Sequence, residues 1–270
     1  MLCRVLNVKR STIYYKPKTN EEAKSYKHSL DVQAVLQAFN ENRRKYGSRK
    51  IKVELAKKNI IFSRRKICNI MKEIGIRSCY NTKSYRHYAS GCNEKSISNV
   101  IDRHFDCWKK NEVIVSDLTY VNVGGKWNYV CNLIDLYNRE IVGFSVGEQK
   151  TAELVKEAFD NSHIDFNKMM IFHTDRGREF DNRLIDNFLE EHSVIRSLSR
   201  KGTPYDNAVS ESTFKIVKTE FVKGKTFRDI EQLRLEYGDY VHWFNNCRIH
   251  SSLNYMTPVE YKNLPLINIA

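Results

Sequence analysis

The sequence lacks the features that would assign it to several large classes of protein. It has no apolar run near the ~20 residues of a membrane-spanning helix and no apolar segment after Met1 of the kind found in secretion signals. It also has no glycine-rich loop followed by Lys and Ser or Thr that would hold a nucleotide phosphate. We therefore expect a cytoplasmic protein without a membrane partner, whose reaction does not consume ATP.

Paired cysteines are also missing. The seven cysteines are scattered, and no two have the CxxC spacing, so buried thiols are expected rather than a disulfide framework. A zinc site is an alternative interpretation of four residues, although their spacing fits no compact zinc motif; they are His87, Cys92, His104 and Cys107.

Positive charge is abundant but unevenly distributed. The net charge is +13. Residues 1–110 contain 26 Lys and Arg against 9 Asp and Glu, whereas residues 111–270 contain 19 against 23. This asymmetry predicts that the front part binds a polyanion, most simply nucleic acid. A membrane surface is the competing partner, but no basic amphipathic helix with an aromatic face supports it.

Three helices are predicted in this basic part, after a charged link from Glu21 to Lys27. The first spans 30–39, the second spans 48–58 with Ser48 as its N-cap, and Ser63 caps the third. The third has apolar side chains at helical spacing, namely Ile67, Ile70, Met71 and Ile74. Two short helices, the second basic and capped, are typical of a helix-turn-helix domain, which we assign to residues 28–80.

The other face of the third helix is polar and basic; it carries Arg64, Arg65, Asn69 and Lys72. These side chains are predicted to contact DNA, with phosphate contacts favoured over base contacts. A basic face that is only solvated is the alternative. Residues 1–27 are interpreted as a fragment of an N-terminal helix-turn-helix with a linker. Residues 81–105 are interpreted as a basic linker that DNA partly orders, with a free flexible tether as the open alternative.

From residue 111 the pattern changes to strands. Three successive strands at 113–120, 126–136 and 139–147, with short turns between them, predict an antiparallel meander. Helices and strands then alternate: a helix at 151–163, a strand at 169–174, a helix at 182–192, a strand at 194–198 and a final helix at 227–246. This order indicates an α/β sheet.

Three acids stand at positions that require an explanation. Asp117 interrupts an apolar strand, where a charge is costly unless it is paired or binds a metal. Asp175 follows a strand, at the edge where α/β sheets form clefts. Glu211 lies on a helix with Asp206 as the predicted N-cap. Three such carboxylates suit Mg²⁺ or Mn²⁺, although surface acids are the alternative; Asp135 is a fourth candidate acid.

Four stretches carry a resemblance to a known family: SDLTY, HTDRG, KGTPYDNAVSES and the closing NNCRIHSSLNYMTP. With 35 residues between Asp175 and Glu211, they resemble the DDE catalytic core of bacterial insertion-sequence transposases. The closest type is the downstream-frame (OrfB) product of elements with two overlapping reading frames, a relative of retroviral integrase. The similarity extends over nearly the whole chain.

The resemblance implies a ribonuclease-H-like core with a mixed five-stranded sheet at residues 106–270, preceded by a small all-α helix-turn-helix region. It implies a transposase that cleaves and transfers DNA strands with Mg²⁺ or Mn²⁺ held by Asp117, Asp175 and Glu211. Its partners would be the element ends, target DNA and further copies of the chain on DNA, with an upstream-frame product as a possible fusion. The location would be the bacterial cytoplasm, in association with the nucleoid. A DNA-binding regulator without catalysis and a nuclease without strand transfer are the alternatives.

Supporting roles are predicted for five further residues. Thr119 and His173 flank the acids and would position water or the carboxylates, or would be only structural. Asn207 matches the family's asparagine and would cap the helix or touch the cleaved strand. Lys218, which matches a basic residue of the family seven positions after the glutamate, and Lys215 would hold DNA phosphates, with solvated helix lysines as the alternative.

Overall fold

The computed structural model describes residues 21–81 and 97–264. The chain divides into two compact units, of which one ends at Ser78 and the other begins at Cys79. Residues 1–20 of the predicted N-terminal fragment (1–27), and residues 82–96 of the predicted linker, lie outside the described residues. The predicted domain boundaries at 28–80 and 106–270 therefore stay predictions.

The first unit contains three helices: α1 (Glu21–Glu41), α2 (Ser48–Lys57) and α3 (Arg64–Glu73). The prediction of a charged link before residue 30 was wrong, because α1 already begins at Glu21. Its first two turns contain no proline or glycine that would stop a helix. The unit has an apolar core contributed by α1, α2, α3 and the turn before α2; its most buried members are Val35, Ala38, Phe39, Tyr46, Ile51, Leu55, Ile67 and Ile70.

The ends of α2 and α3 are set by different residues. The Ser63 side chain accepts a hydrogen bond from the Lys66 backbone N–H at 3.1 Å, so the prediction that it caps α3 is confirmed. Ser48 does not cap α2: Gly47 is the N-cap, without a side-chain bond, and Ser48 is already helical. Gly75 follows the end of α3 with φ +69°, a left-handed conformation that glycine adopts without strain.

The second unit is built on a five-stranded mixed sheet. Its strands are β1 (Val113–Val123), β2 (Lys126–Asp135), β3 (Ile141–Gly147), β4 (Ile171–Thr174) and β5 (Ile195–Leu198). The order across the sheet is β3-β2-β1-β4-β5. The first three strands form the predicted antiparallel meander, and β4 and β5 are parallel to β1. This is the predicted ribonuclease-H-like arrangement, with β1 at its centre.

A tight hairpin joins β1 to β2. β1 extends three residues beyond its predicted end at Tyr120, to Val123, which pairs with Lys126. The two residues between them are Gly124 and Gly125, both with positive φ, as a two-residue hairpin loop requires.

Helices cover both faces of the sheet. The helices α4 (Ala152–Asp160) and α5 (Arg183–Glu191) pack on one face, over a core that includes Ile114, Leu133 and Phe172. The helices α6 (Ala208–Val217) and α7 (Ile230–Asn246) pack on the other face, where Tyr237 of α7 donates a hydrogen bond to Asn132 of β2 at 2.8 Å. The last helix is α8 (Pro258–Lys262). Each face is thus closed by its own pair of helices.

The described residues contain neither disulfides nor a membrane-spanning helix. None of the cysteines in this part of the chain forms a disulfide. Only Cys131 among them is buried, while Cys68, Cys107 and Cys247 are exposed, so the expectation of buried thiols was mostly wrong. No helix in the described ranges has the length and apolar character needed to cross a bilayer.

Candidate active site

Asp117 lies near the middle of β1, the central strand. It pairs across the sheet with Asn132 of β2, and directly opposite residues of an antiparallel pair point to the same face. Since Asn132 bonds to α7, Asp117 is on the face covered by α6 and α7. One of its carboxylate oxygens accepts the backbone N–H of Leu118 at 2.7 Å.

Asp175 follows the last residue of β4, which is parallel to β1 and adjacent to it. Its carboxylate accepts the backbone N–H of Gly177 at 2.9 Å. The neighbouring Arg176 side chain donates from Nε to the Ser199 carbonyl at 2.8 Å, which ties the turn to the segment after β5. The turn therefore holds Asp175 at the carboxyl end of the strand, as its sequence position predicted.

Glu211 is on the exposed side of α6. The other side of the helix packs inward through Ser210, Thr213, Phe214 and Val217. The prediction that Asp206 caps this helix was wrong. A short 3₁₀ turn, Pro204–Asn207, precedes α6, and the buried Asp206 carboxylate instead accepts bonds from the Arg103 and Arg200 side chains.

Asn207 occupies the N-cap position of α6 but makes no side-chain cap bond. Its buried side chain donates from Nδ2 to the carbonyl of Ser116 at 3.2 Å. This bond joins the start of the Glu211 helix to the backbone of β1 directly before Asp117. Asn207 was predicted either to cap the helix or to touch the cleaved DNA strand. The structure shows that its side chain does not cap the helix.

Asp175 and Glu211 both act electrostatically on Asp117. Burial raises the pKa of Asp117 well above its usual range, and the negative charges of Asp175, Glu211 and Glu179 raise it further, against the opposing effect of the Leu118 bond. Within residues 21–81 and 97–264, no three His, Cys, Asp or Glu side chains are gathered tightly enough to hold one metal ion. Carboxylates repel one another, and such side chains come closer together when a bound cation offsets the repulsion.

Glu179 is an acid near the site that sequence reasoning missed. It is 6% exposed, and its carboxylate forms an ion pair with the Lys150 ammonium at 2.8 Å. A Cβ on Gly177 would stand 2.2 Å from Glu179 Oε1, so the absence of a side chain at Gly177 makes room for this carboxylate. The sequence feature that could have identified Glu179 as a site residue is its proximity to the HTDRG stretch.

Lys150 brings positive charge to the same region. Burial alone would lower its pKa, but the bond to Glu179 and the charges of Glu179, Asp175 and Asp117 raise it. A surface cleft of about 630 Å³ borders this pair and is also lined by residues at the starts of α4 and α5. The ammonium of Lys150, whose charge is balanced by Glu179, therefore lies near Asp117 and Asp175.

Lys218 and Lys215 differ in their surroundings. Lys218 is half-buried, with its ammonium 4.8 Å from the centre of the Tyr120 ring on β1. Burial lowers the pKa of Lys218, and the nearby charge of Asp117 partly offsets this effect. Lys215 is exposed one turn earlier. Lys218 is therefore close enough to Asp117 to interact with it.

Thr119 and His173 have different environments. Thr119 lies two residues after Asp117, on the same face of β1, and its buried hydroxyl has no hydrogen-bond partner. His173 is fully buried, and its two ring nitrogens bond to the hydroxyls of Ser197 at 2.8 Å and Ser199 at 3.2 Å. Burial lowers the pKa of His173 to about 4. Both ring nitrogens of His173 are engaged, so neither is left to orient a water molecule.

Asp135, the fourth candidate acid, has a structural environment at the end of β2. It is fully buried, and its two carboxylate oxygens accept the backbone N–H groups of Asn111 and Tyr137, each at 2.9 Å. Asp135 is not among the acids whose charges raise the pKa of Asp117. Its omission from the predicted triad agrees with these contacts.

In the helical unit, the four residues predicted to contact DNA share the exposed side of α3. They are Arg64, Arg65, Asn69 and Lys72. Ile67, Ile70 and Met71 face inward. The structure therefore separates a basic face from an apolar face on this helix, as the pattern predicted; DNA contact itself stays a prediction.

Comparison with known proteins gives the class of the chain. Residues 109–204 match the family model described as "Integrase core domain", residues 211–266 match a second model with the same description, and residues 27–84 match one described as "HTH-like domain". Together with the ribonuclease-H-like sheet, these matches define the class of the protein: an integrase core domain preceded in the chain by a helix-turn-helix-like domain.

Individual relatives narrow this class. The chain is 30% identical, over 97% of its length and 92% of the relative, to the putative transposase InsK for insertion sequence element IS150 of Escherichia coli (strain K12). It is 27% identical, over 84% of its length and 91% of the relative, to the transposase for insertion sequence element IS904 of Lactococcus lactis. The chain belongs to the family of bacterial insertion-sequence transposases.

Solved structures show a weaker likeness. The intasome of simian T-cell lymphotropic virus, in complex with a regulatory subunit of PP2A, is 12% identical with a TM-score of 0.49, over 87% of this chain and 75% of that chain. The HTLV-2 integrase catalytic core in complex with magnesium is 13% identical with a TM-score of 0.43, over 56% of this chain and 96% of that chain. At these scores, neither structure bears on the function of this chain.

Proposed function

We propose that the chain is a metal-dependent polynucleotidyl transferase that cuts DNA at the ends of an insertion sequence and joins the freed 3′-hydroxyl to another strand. One arrangement carries the proposal: Asp117 lies in β1, and Asp175 follows the last residue of the adjacent parallel strand β4. Asn207 bonds the start of the Glu211 helix to the β1 backbone at 3.2 Å. The negative charges of Asp175 and Glu211 both act on Asp117. These elements are far apart in the chain, and a shared site accounts for their convergence.

The chemistry of the donor set fits Mg²⁺, or Mn²⁺ in its place. Asp117, Asp175 and Glu211 offer only carboxylate oxygens, the hard ligands that these cations prefer. When bound, such ions lower the pKa of the attacking hydroxyl or water and stabilise the leaving oxygen. The three carboxylates would hold the ions, and Asn207 would fix the start of the Glu211 helix relative to Asp117 through its bond to β1.

DNA binding is divided between two surfaces in this proposal. Lys218, near Asp117, would hold a phosphate of the strand being cut, with Lys215 on the outer side of the same helix. The exposed face of α3 would bind the element end through Arg64, Arg65, Asn69 and Lys72. Because transposition brings two ends together, we infer that a homo-oligomer works on DNA, with the chain alone or fused to an upstream-frame product.

The decisive experiment compares native protein with Asp175→Asn in a joining assay that contains Mg²⁺ and labelled element ends. We expect joined product from native protein and none from the variant. Asp160→Asn, which changes an exposed aspartate at the end of α4, is the matched control and should join normally. Cutting without joining by native protein would indicate a nuclease. Binding without cutting would indicate a regulator, and either result would overturn the proposal.

A second experiment tests the α3 surface. Replacing Arg65 by Ala should weaken binding to element ends and reduce the slope of log K against log salt by about 0.9, the effect of losing one phosphate contact. Lys58→Ala is the control, because this exposed lysine pairs with Glu41. Equal slopes for native protein and Arg65→Ala would exclude a phosphate contact by that residue.

A further inference from the structure

A buried ion pair lies directly beyond the helix that carries Glu211. The chain continues from α6 into a π-helical turn, Lys218–Val222, which contains Glu220. The Glu220 carboxylate accepts two hydrogen bonds from Arg248: Nε donates to Oε2 at 2.8 Å and Nη2 donates to Oε1 at 2.9 Å. The two side chains are 0% and 4% exposed, so both charges are removed from water.

Two tyrosines complete the shell of this carboxylate. The Tyr80 hydroxyl donates to Oε1 at 2.5 Å, and the Tyr240 hydroxyl of α7 donates to Oε2 at 3.2 Å. Tyr80 belongs to the 3₁₀ turn Cys79–Asn81, at the start of the second unit. Glu220 therefore receives four hydrogen bonds from three separate segments of that unit. We call these four residues (Tyr80, Glu220, Tyr240 and Arg248) the Glu220 clamp.

Such an arrangement is costly to build for stability alone. A buried ion pair loses the hydration of both charges, and apolar side chains of similar size often stabilise a fold as well or better. A buried Arg–carboxylate pair does, however, fix orientation, because two parallel hydrogen bonds set the geometry of the guanidinium relative to the carboxylate. The clamp is thus better suited to fixing a position than to adding stability.

The element that it fixes is the Glu211 helix. At its start, Asn207 ties α6 to the backbone of β1 next to Asp117. At its end, the clamp holds the π-helical turn. Glu211 lies between these two points, on the exposed side of the helix. The two fixed ends, together with the buried face of α6, determine the rotation of the helix about its axis and therefore the direction in which Glu211 points.

We propose that Tyr80, Tyr240 and Arg248 are positioning residues for the catalytic helix, acting through Glu220 to direct Glu211 toward Asp117 and Asp175. This assignment rests on the proposed function. It also gives a role to the closing stretch NNCRIHSSLNYMTP, because Arg248 is the arginine of that stretch.

The test removes single hydroxyl groups from the clamp. Tyr80→Phe deletes one bond to Glu220 at a residue that is 46% exposed, and Tyr240→Phe deletes another within the core. Tyr261→Phe, in α8 of the same unit, is the matched control. For each full-length protein we would measure the thermal midpoint, the affinity for Mn²⁺ by calorimetry without DNA, and the kcat and KM of end joining.

We expect both clamp variants to bind Mn²⁺ about tenfold more weakly than native protein, the lower limit for residues that orient metal ligands through hydrogen bonds. Their kcat should fall by a similar factor, with KM for DNA unchanged. Tyr261→Phe should match native protein in all of these quantities. In a protein that already carries Asp175→Asn, adding Tyr80→Phe should cause no further loss of Mn²⁺ affinity or kcat, because the metal site to which Glu211 contributes is already lost.

Four results would count against the assignment. Clamp variants with lower thermal midpoints but native Mn²⁺ affinity and kcat would show that the clamp only stabilises the fold. An equal effect of Tyr261→Phe would show that the loss is not specific to the clamp. Native protein that binds no Mn²⁺ and joins no DNA would overturn the proposed function itself, and the positioning role with it. Native activity with unaffected clamp variants would overturn the positioning role alone.

Discussion

Two aspartates on neighbouring strands, Asp135 fully buried and Asp117 partly buried, show how differently two acids of one sheet can be surrounded. Asp135 ends β2, and both of its oxygens accept backbone N–H groups. Asp117, in the middle of β1, accepts one backbone N–H and is exposed to the negative charges of Asp175, Glu211 and Glu179. Burial raises the pKa of both carboxyl groups.

The difference shows that burial by itself does not identify a functional acid. The Asp135 carboxylate is saturated by donors that hold the corner after β2 in place, so it has a structural role. The Asp117 carboxylate has one such donor and is near the like charges of three other acids, an arrangement that destabilises the fold unless a cation or a substrate makes use of it. Each of the following predictions tests this contrast, from the largest effect to the smallest.

The largest effect is expected on catalysis. Asp117→Asn should reduce strand joining by at least about a thousandfold, as for other residues that act as part of one catalytic unit. The free energy of unfolding should stay equal or rise, because a repelled charge is removed. Joining assays and chemical denaturation measure the two quantities. Activity close to native would contradict the assignment of Asp117.

The next effect is stabilisation by metal. Mg²⁺ at a hundred times its dissociation constant should stabilise native protein by about 2.7 kcal/mol, because only the folded chain forms the site. Thermal midpoints measured with and without Mg²⁺ would report it. Asp117→Asn should lose this increase, whereas Asp135→Asn should retain it. If both variants retained the increase, the metal would bind elsewhere.

Asp135→Asn should have the opposite profile from Asp117→Asn. Asn keeps one acceptor oxygen, so one backbone N–H loses its acceptor and the other loses a charged one. This change should lower the free energy of unfolding by about 2 kcal/mol. Joining per folded molecule should stay native, since Asp135 has no catalytic role. Urea denaturation and a joining assay normalised to the folded fraction would test this. A catalytic loss without a loss of stability would reverse the roles of the two acids.

The smallest effect concerns pH near the Asp135 corner. Burial opposes ionisation of Glu140, but bonds from His163, Asn138 and Lys262 lower its pKa to about 2. A lowered carboxyl pKa stabilises the fold above the unfolded value, and this stabilisation is lost as pH falls from about 4.5 toward 2. Glu140→Gln should flatten the pH dependence of unfolding in that range. An unchanged slope would show that the folded pKa is not lowered.

Much of the architecture could be predicted from local patterns. Alternation and short turns predicted the meander, and helical spacing predicted that Ile67, Ile70 and Met71 of α3 face inward. The predicted strand and helix ends of the second unit were off by only a few residues, as at Val123 and Ile230. The charged segment at the start of α1 was misjudged, because charge alone does not distinguish a link from a solvated helix.

The site was predicted less completely. Asp175 and Glu211 were located by their positions after a strand and on a helix. Asp206 was assigned as a cap, since its two arginine partners, Arg103 and Arg200, are not recognisable from local sequence. Glu179 and Lys150 were missed for the same reason: they are 29 positions apart in the chain, and neither stands in a distinctive pattern.

By itself, the sequence determined which segments become helices and strands and which acids demand an explanation, because side-chain periodicity and turn chemistry act over a few residues. Only the tertiary structure decided which aspartate, Asp135, has a backbone donor on each oxygen and which, Asp117, is opposed by like charges. It also brought Tyr80 to Arg248, 168 positions away. Electrostatic and hydrogen-bond partners depend on distances in space, and those distances are set when the sheet and its helices pack together.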